Sequence, residues 1–165
     1  MIRITQAAPQ QLSIVQQIAY DTWPHTFGNI LTPEQIDYML KMMYDLDVLK
    51  ELVEKKGHVF LLAEADGNFG GFAGYELNYK KEPVSKLHKI YVLPQMQGKN
   101  AGLALISEVE RIAREAGMKK LSLNVNRDNK AVGFYERNGF AISGEEDIDI
   151  GNGFFMNDYI MTKKL

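Results

Sequence analysis

The hydrophobic pattern divides the chain into stretches of period two and stretches of period 3.6. Ile2–Ala7 ("IRITQA") alternates apolar and polar positions and predicts a first strand. Over "PQQLSIVQQIAYDTW" the apolar positions Leu12, Val15, Ile18 and Ala19 recur at helical spacing, which predicts an amphipathic helix through Trp23. A loop, "PHTFGNI", follows. "TPEQIDYMLKMMYD" predicts a second helix, with Thr32 as N-cap and Pro33 in its first position, and "LDVLKELVEKK" predicts a third. "HVFLLAEA" and "FGGFAGYELNY" predict strands joined by a hairpin at Asp66-Gly67-Asn68. "KLHKIYVL" reads as a strand stopped by Pro94. Leu103–Ala116 is expected to be helical, with Leu105, Val109, Ile112 and Ala116 on one face and Gly117 as its C-terminal cap. "LSLNVN" sets Leu121, Leu123 and Val125 against Ser122, Asn124 and Asn126. "NKAVGFYERN" predicts a short helix, with Asn129 as N-cap and Gly139 beyond its end. "FAISGEEDIDI" and "FFMNDYIMTKKL" predict a closing antiparallel pair. The order β-α-α-α-β-β-β-α-β-α-β-β holds one β-α-β unit among antiparallel pairs. That combination predicts a three-layer α/β sandwich around a mixed sheet.

Composition narrows the chemistry. The 165 residues fit a single domain over 1–165, large enough to bury a real core without metals or disulfides. With 45% hydrophobic and 24% charged residues, the composition is that of a soluble globular protein. There is no cysteine, so disulfides, thiolate zinc sites and cysteine nucleophiles are excluded. No apolar run approaches the roughly 18 residues of a membrane span, and "MIRITQAAPQQ" is no signal peptide, so a cytoplasmic protein without a membrane partner is expected. A net charge of -2 gives no argument for a nucleic-acid partner. Any bound phosphate must therefore be held by local geometry. No metal-ligating cluster is expected.

One hexapeptide supplies such geometry. Gln97-Gly98-Lys99-Asn100-Ala101-Gly102 lies between a predicted strand and a strongly periodic helix. Unsatisfied N–H groups at a helix start carry partial positive charge, and small residues let a ligand approach them closely. The same residues would also suit a tight, ligand-free turn, and the hexapeptide alone leaves both readings open. It is not a P-loop, because Gly102 is followed by Leu103-Ala104 rather than Lys-Ser/Thr. "GNFGGFAG" (67–74) has the glycines of a dinucleotide fingerprint but falls in the hairpin, where a turn and a bulge account for them.

Taken together, "IYVLPQMQGKNAGLAL" and "NKAVGFYERNGF" closely resemble the acyl-CoA-binding core of the GNAT superfamily of N-acetyltransferases. The family's Gln/Arg-x-x-Gly-x-Gly/Ala motif falls on Gln97–Gly102, and its second element on Asn129, Ala131, Phe134, Tyr135, Gly139 and Phe140. Asn100 is the departure from the pattern; asparagine is among the non-glycine residues most tolerant of left-handed backbone. The resemblance spans essentially the whole chain. Within the superfamily, "DTWPHTF", "LHKIYV" and the C-terminal strand are similar to the bacterial polyamine (spermidine/spermine) acetyltransferases.

The resemblance implies an α/β/α sandwich with a mixed, mostly antiparallel sheet, and transfer of acetyl from acetyl-CoA to a primary amine by direct attack in a ternary complex. The pyrophosphate would lie on the N–H groups of Gln97, Gly98, Lys99, Asn100, Ala101 and Gly102, with Asn129 nearby. The pantetheine arm would run along Ile90, Tyr91 and Val92, whose last N–H would polarise the thioester carbonyl. Tyr135 takes the position of the family's general acid. An alkyl ammonium must lose a proton before it can attack. Where the polyamine enzymes tend to carry an acid, this chain has His88, which strand alternation sets on the face of Ile90 and Val92, opposite Lys89 and Tyr91. His88, or a water with Glu76, is the candidate base. Trp23, His25 and Phe27, with Asp21 and Asp37, would give an acidic and aromatic acceptor pocket. The acceptor would be a polyamine, another small amine, or a peptide or protein amine. A CoA-binding module without turnover is the alternative, a nucleotide hydrolase is disfavoured, and a homodimer is left open.

Overall fold

The computed structural model describes all residues, Met1–Leu165. Strand β1 (Ile2–Gln6) leads through a single 3-10 turn at Pro9–Gln11 into helices α1 (Leu12–Phe27), α2 (Pro33–Tyr44) and α3 (Leu46–Lys55). Strands β2 (His58–Ala65), β3 (Asn68–Glu76) and β4 (Val84–Val92) follow, then α4 (Ala101–Glu115), β5 (Lys120–Asn126), α5 (Ala131–Arg137), β6 (Ala141–Gly151) and β7 (Phe154–Lys164). The seven strands form one sheet in the order β1-β2-β3-β4-β5-β7-β6. Only β4 and β5 run parallel; every other neighbouring pair is antiparallel.

The local signals of the sequence act as expected at most ends. Thr32 Oγ1 accepts the N–H of Gln35 at 3.2 Å, and Pro33 needs no donor in the first turn. Asp66 and Gly67 both take positive φ between β2 and β3, the pair of conformations that a two-residue hairpin requires.

Two cores flank the sheet. Leu12, Val15, Trp23, Tyr44, Leu49 and Phe72 pack under α1–α3, and Leu61, Leu105, Val109, Leu121, Tyr135 and Met161 pack under α4 and α5. The layers are therefore α/β/α, with the alternation of each strand feeding both sides.

Two expectations are corrected. Helix α1 does not stop at Trp23; it continues through Pro24 to Phe27, and Gly28 N–H reaches the Pro24 carbonyl at 3.0 Å. Proline removes one hydrogen bond to the carbonyl four residues back, Tyr20, and both residues lie on the exposed side of the helix, where water can replace it. The face of His88 also differs. Gly74 pairs with Lys89 but Tyr75 pairs with Leu87, so His88 is the extra residue of a β-bulge. Leu87 packs on the α4 side, while the Lys89 ammonium lies over Tyr44 and Phe60 on the α1–α3 side. The bulge sends His88 to that second side, against His58, rather than to the side of Ile90 and Val92.

Candidate active site

The parallel pairing of β4 and β5 is short, joining Val84–Leu87 to Lys120–Leu123. Beyond it the strands diverge and open a cleft of about 600 Å³. Leu93 N–H donates to the Gly70 carbonyl at 2.7 Å, which sets the ladder between β3 and β4. Antiparallel alternation then commits Tyr91 to β3 and turns the N–H and C=O groups of Ile90 and Val92 into the cleft. The carbonyl of Val92 is partly engaged, by Gln97 Nε2 at 3.3 Å. An extended chain could add to this edge as a strand would.

The loop after β4 closes one end. Gly70 lacks a side chain where Met96 lies, since a Cβ there would meet Met96 Sδ at 1.8 Å; this close approach pins the loop to the sheet. Gly98 and Asn100 adopt left-handed φ of 84° and 63°. Asn100 thus holds the strained position that its tolerance suggested. Gln97 and Lys99 spend their N–H groups on the Pro94 and Met96 carbonyls, and the first helical bond of α4 runs from Ala104 to Asn100. The N–H groups of Gly98 and of residues 100–103 have no backbone partner, and an open helix start of this kind can accept an anion. Of Gln97–Gly102, only Lys99 lies outside the cleft lining; it is exposed.

Helix α5 supplies the facing wall. Asn129 Oδ1 accepts the Ala131 N–H at 2.9 Å and turns the chain into the helix, while Asn129 itself lines the cleft. Tyr135 lines it too, edge-on to Phe134 and Phe140 at ring distances of 5.6 and 5.7 Å. Burial pushes its phenol well above the ordinary tyrosine value, so it stays protonated.

The opposite end is walled by Phe27, Met39 and Met43 from α1 and α2, by Leu31 from the loop between them, and by Phe155 and Met156 from the tip of the β6–β7 hairpin. Gln35 Nε2 donates to the Phe155 carbonyl at 2.8 Å, and the Tyr38 hydroxyl to the Ile150 carbonyl at 2.6 Å, so hairpin and helix form one wall.

The expected acceptor residues separate. Phe27 and Trp23 line the cleft, although the indole is 1% exposed and works mainly as core beside Phe27 and Tyr44. His25 is exposed and outside the lining, as are Asp21 and Asp37; Asp21 and His25 lie on the solvent side of α1 and Asp37 on that of α2. Glu76 does not line the cleft either. Its Oε1 lies 2.9 Å from His88 Nε2 and 3.4 Å from His58 Nε2, and the two rings stack at 4.2 Å. Burial first, then the cations of Lys89 and Lys86, hold His88 down to about 3; burial, His88 and Lys89 hold His58 down to about 4. Both imidazoles are neutral near pH 7.

Sequence reasoning missed His58 and the strand β7 acid Asp158. Asp158 is the one carboxylate lining the cleft and is 3% exposed. The polar face of "LSLNVN" held half the signal, since Asn124 donates to Asp158 Oδ2 at 3.4 Å and to Glu146 Oε1 at 3.2 Å. Which strand lies beside β5 is a matter of topology, and no local pattern shows it.

Comparison with known proteins places this geometry. The profile of the acetyltransferase (GNAT) family matches residues 15–140. A spermidine N(1)-acetyltransferase of Thermoplasma acidophilum is 29% identical over 99% of this chain and 97% of its own length. An aminoglycoside N(6')-acetyltransferase type 1 of Stenotrophomonas maltophilia is 29% identical over 81% of this chain and 86% of its own. Among solved structures, the PaiA N-acetyltransferase of T. acidophilum in complex with coenzyme A superposes with a TM-score of 0.83 at 28% identity, covering 100% of this chain and 99% of that one.

Proposed function

This chain belongs to the GNAT family of acetyltransferases and is an acetyl-CoA-dependent N-acyltransferase, and we propose that its acceptor is a small primary amine of the polyamine kind, acetylated by direct attack in a ternary complex. The observation that carries this reading is the split between β4 and β5: a free strand edge leads from an anion-binding helix start to a separate, largely apolar lobe. Full-length similarity to a spermidine acetyltransferase supports the acceptor class, and the aminoglycoside enzyme among the relatives supports an amine more broadly.

Acetyl-CoA supplies an acetyl group already activated as a thioester. The free N–H groups of Gly98 and residues 100–103 would hold its pyrophosphate, with Gln97 and Asn129 alongside and Lys99 outside the contact. Ile90, Tyr91 and Val92 would hold the pantetheine arm through the open strand edge. The Val92 N–H would face the carbonyl oxygen as that oxygen gains negative charge, a dipole fixed in place before reaction. Tyr135, kept protonated by its burial, would give its proton to the leaving sulfur. His88 lies at the head of the split with its ring tied to Glu76. An imidazole held near 3 is neutral but a weak base, so His88 would orient its neighbours rather than take the amine's proton. Trp23 and Phe27 would floor the acceptor lobe.

Thiol release from acetyl-CoA, measured against a panel of diamines, polyamines, monoamines and peptide amines, tests the reading. Polyamines should give the highest kcat/KM. Tyr135→Phe should lower kcat by about 100-fold, with coenzyme A affinity unchanged. Coenzyme A binding without acceptor-dependent thiol release, and no effect of Tyr135→Phe, would leave a binding module instead.

A further inference from the structure

We propose that Asp158 is the carboxylate that pairs with the acceptor's ammonium and takes its proton; this rests on the acetyltransferase reading and supplies the base that reading lacks.

Position comes first. In the register of β7 on β5, Asp158 faces Asn126, at the end of β5 that lies across the cleft from the free edge of β4. It is the only carboxylate among the lining residues. Tyr91, Tyr135 and Asp158 all line this one cleft, so the proposed acid and base face the same space. His88 also lines the cleft, but its ring is tied to Glu76, which lies outside the lining, and stacked on His58.

Its surroundings leave Asp158 in need of a cation. The carboxylate is 3% exposed and accepts one hydrogen bond, from Asn124 at 3.4 Å. Lys86 of β4, whose charge reaches Asp158, donates its hydrogen bond to the Asn124 side-chain oxygen instead. The other charges that face it are Glu146 of β6, which adds repulsion, and Arg127 after β5, whose guanidinium pairs with Glu145 and Asp147. Burial is the largest influence and raises the carboxyl above its ordinary value, with Glu146 in the same direction and Asn124, Lys86 and Arg127 opposing. A buried carboxylate without an ion pair is costly, and an incoming ammonium relieves that cost. A raised carboxyl also holds a proton better than a surface one, as a general base must.

The proton account closes. The ammonium gives one proton to Asp158, and the freed lone pair forms the C–N bond. The C–S bond breaks with its electron pair left on sulfur, which takes the Tyr135 proton. The nitrogen's second surplus proton restores Tyr135, and Asp158 releases its own to solvent. Ammonium and thioester thus yield amide, free thiol and one proton.

The test is Asp158→Asn, assayed with the best diamine of the panel. The expected result is a fall in kcat/KM of at least about 100-fold, with coenzyme A affinity within about twofold of wild type. Titration calorimetry of the diamine into the protein–coenzyme A complex should show a loss of about tenfold or more in affinity. An amine already neutral at pH 7 should lose far less rate than the diamine, because it brings no proton to remove. If the asparagine variant fails to bind coenzyme A, Asp158→Glu decides: it should keep activity but move the acid limb of the pH profile. Asp158→Asn with the wild-type rate and pH profile, or Asp158→Glu with an unmoved limb, would overturn the inference alone. Wild-type protein that turns over no amine would overturn the acetyltransferase reading and this inference with it.

Discussion

At Asn100 the backbone sits at φ 63°, where most side chains are strained and asparagine is among the least so. The residue breaks the glycine pattern of its loop and yet preserves the path, which leaves its own N–H and those of Ala101–Leu103 unpaired at the start of α4. Asn100→Gly should therefore leave coenzyme A affinity within about threefold of wild type. Asn100→Ala should cost about 1 kcal/mol of stability, a fall of roughly 2–4 °C in Tm, and should weaken coenzyme A more than the glycine does. Melting curves and calorimetric titration of the two variants check this; an alanine variant equal to wild type in both would show that the left-handed geometry is not needed. Asn100 was legible because the requirement is local, written in the residue and its immediate neighbours. Asp158 was not, because a carboxylate in an alternating strand looks the same whether it meets solvent or a cleft. Its meaning depends on Asn124 across the ladder and on the divergence of β4 from β5.

Elements with their own start and stop signals matched expectation, and those shaped by partners did not. Thr32 caps α2 and Asp66-Gly67 turns the β2–β3 hairpin through bonds made within a few residues. Helix α1 outran the proline that should have ended it, because the core residues Trp23 and Phe27 lie one turn apart and pull both onto the sheet. The bulge at His88 arises from the match of β4 to β3, and it moves one side chain to the other side of the sheet. The hairpin β6–β7 was expected, but not its tie to α2, which closes one end of the cleft through Tyr38, Gln35 and the Tyr38–Phe154 contact at 5.4 Å. Tyr38→Phe keeps the ring and removes the hydrogen bond to Ile150. The expected cost is about 1 kcal/mol. The looser wall should raise KM for the amine by about three- to tenfold, with coenzyme A affinity unchanged. A Tyr38→Phe enzyme with a normal amine KM would mean that the wall does not shape the acceptor lobe.

The molecule as a whole carries its two cores on opposite sides of one sheet, and two titratable groups largely buried at the sheet help set its response to acid. His58 and His88 are stacked and neutral, held to about 4 and about 3 against an ordinary value of 6.5. As pH falls below 6.5 the unfolded chain takes up protons at these two positions before the native chain does. Stability therefore rises with pH through that window and is lost as pH falls from about 6.5 toward the native values. Glu76, which touches both imidazoles, works against the loss, so a contribution of about 1 kcal/mol per histidine at pH 5 is a fair expectation. The sign is opposite to that of a histidine stabilised as a cation, whose contribution would grow on acidification. Urea unfolding of wild type and of the His58→Gln/His88→Gln double variant, each from pH 7 to pH 4.5, separates the two cases. The double variant will have a lower stability at pH 7, having lost a packed ring pair, so the slope against pH and not the absolute value is the readout. The wild-type curve should fall more steeply by about 2 kcal/mol over the range. Parallel curves would show that Glu76 compensates the protonation fully, and that the trio is an ion pair waiting to form rather than a buried neutral contact.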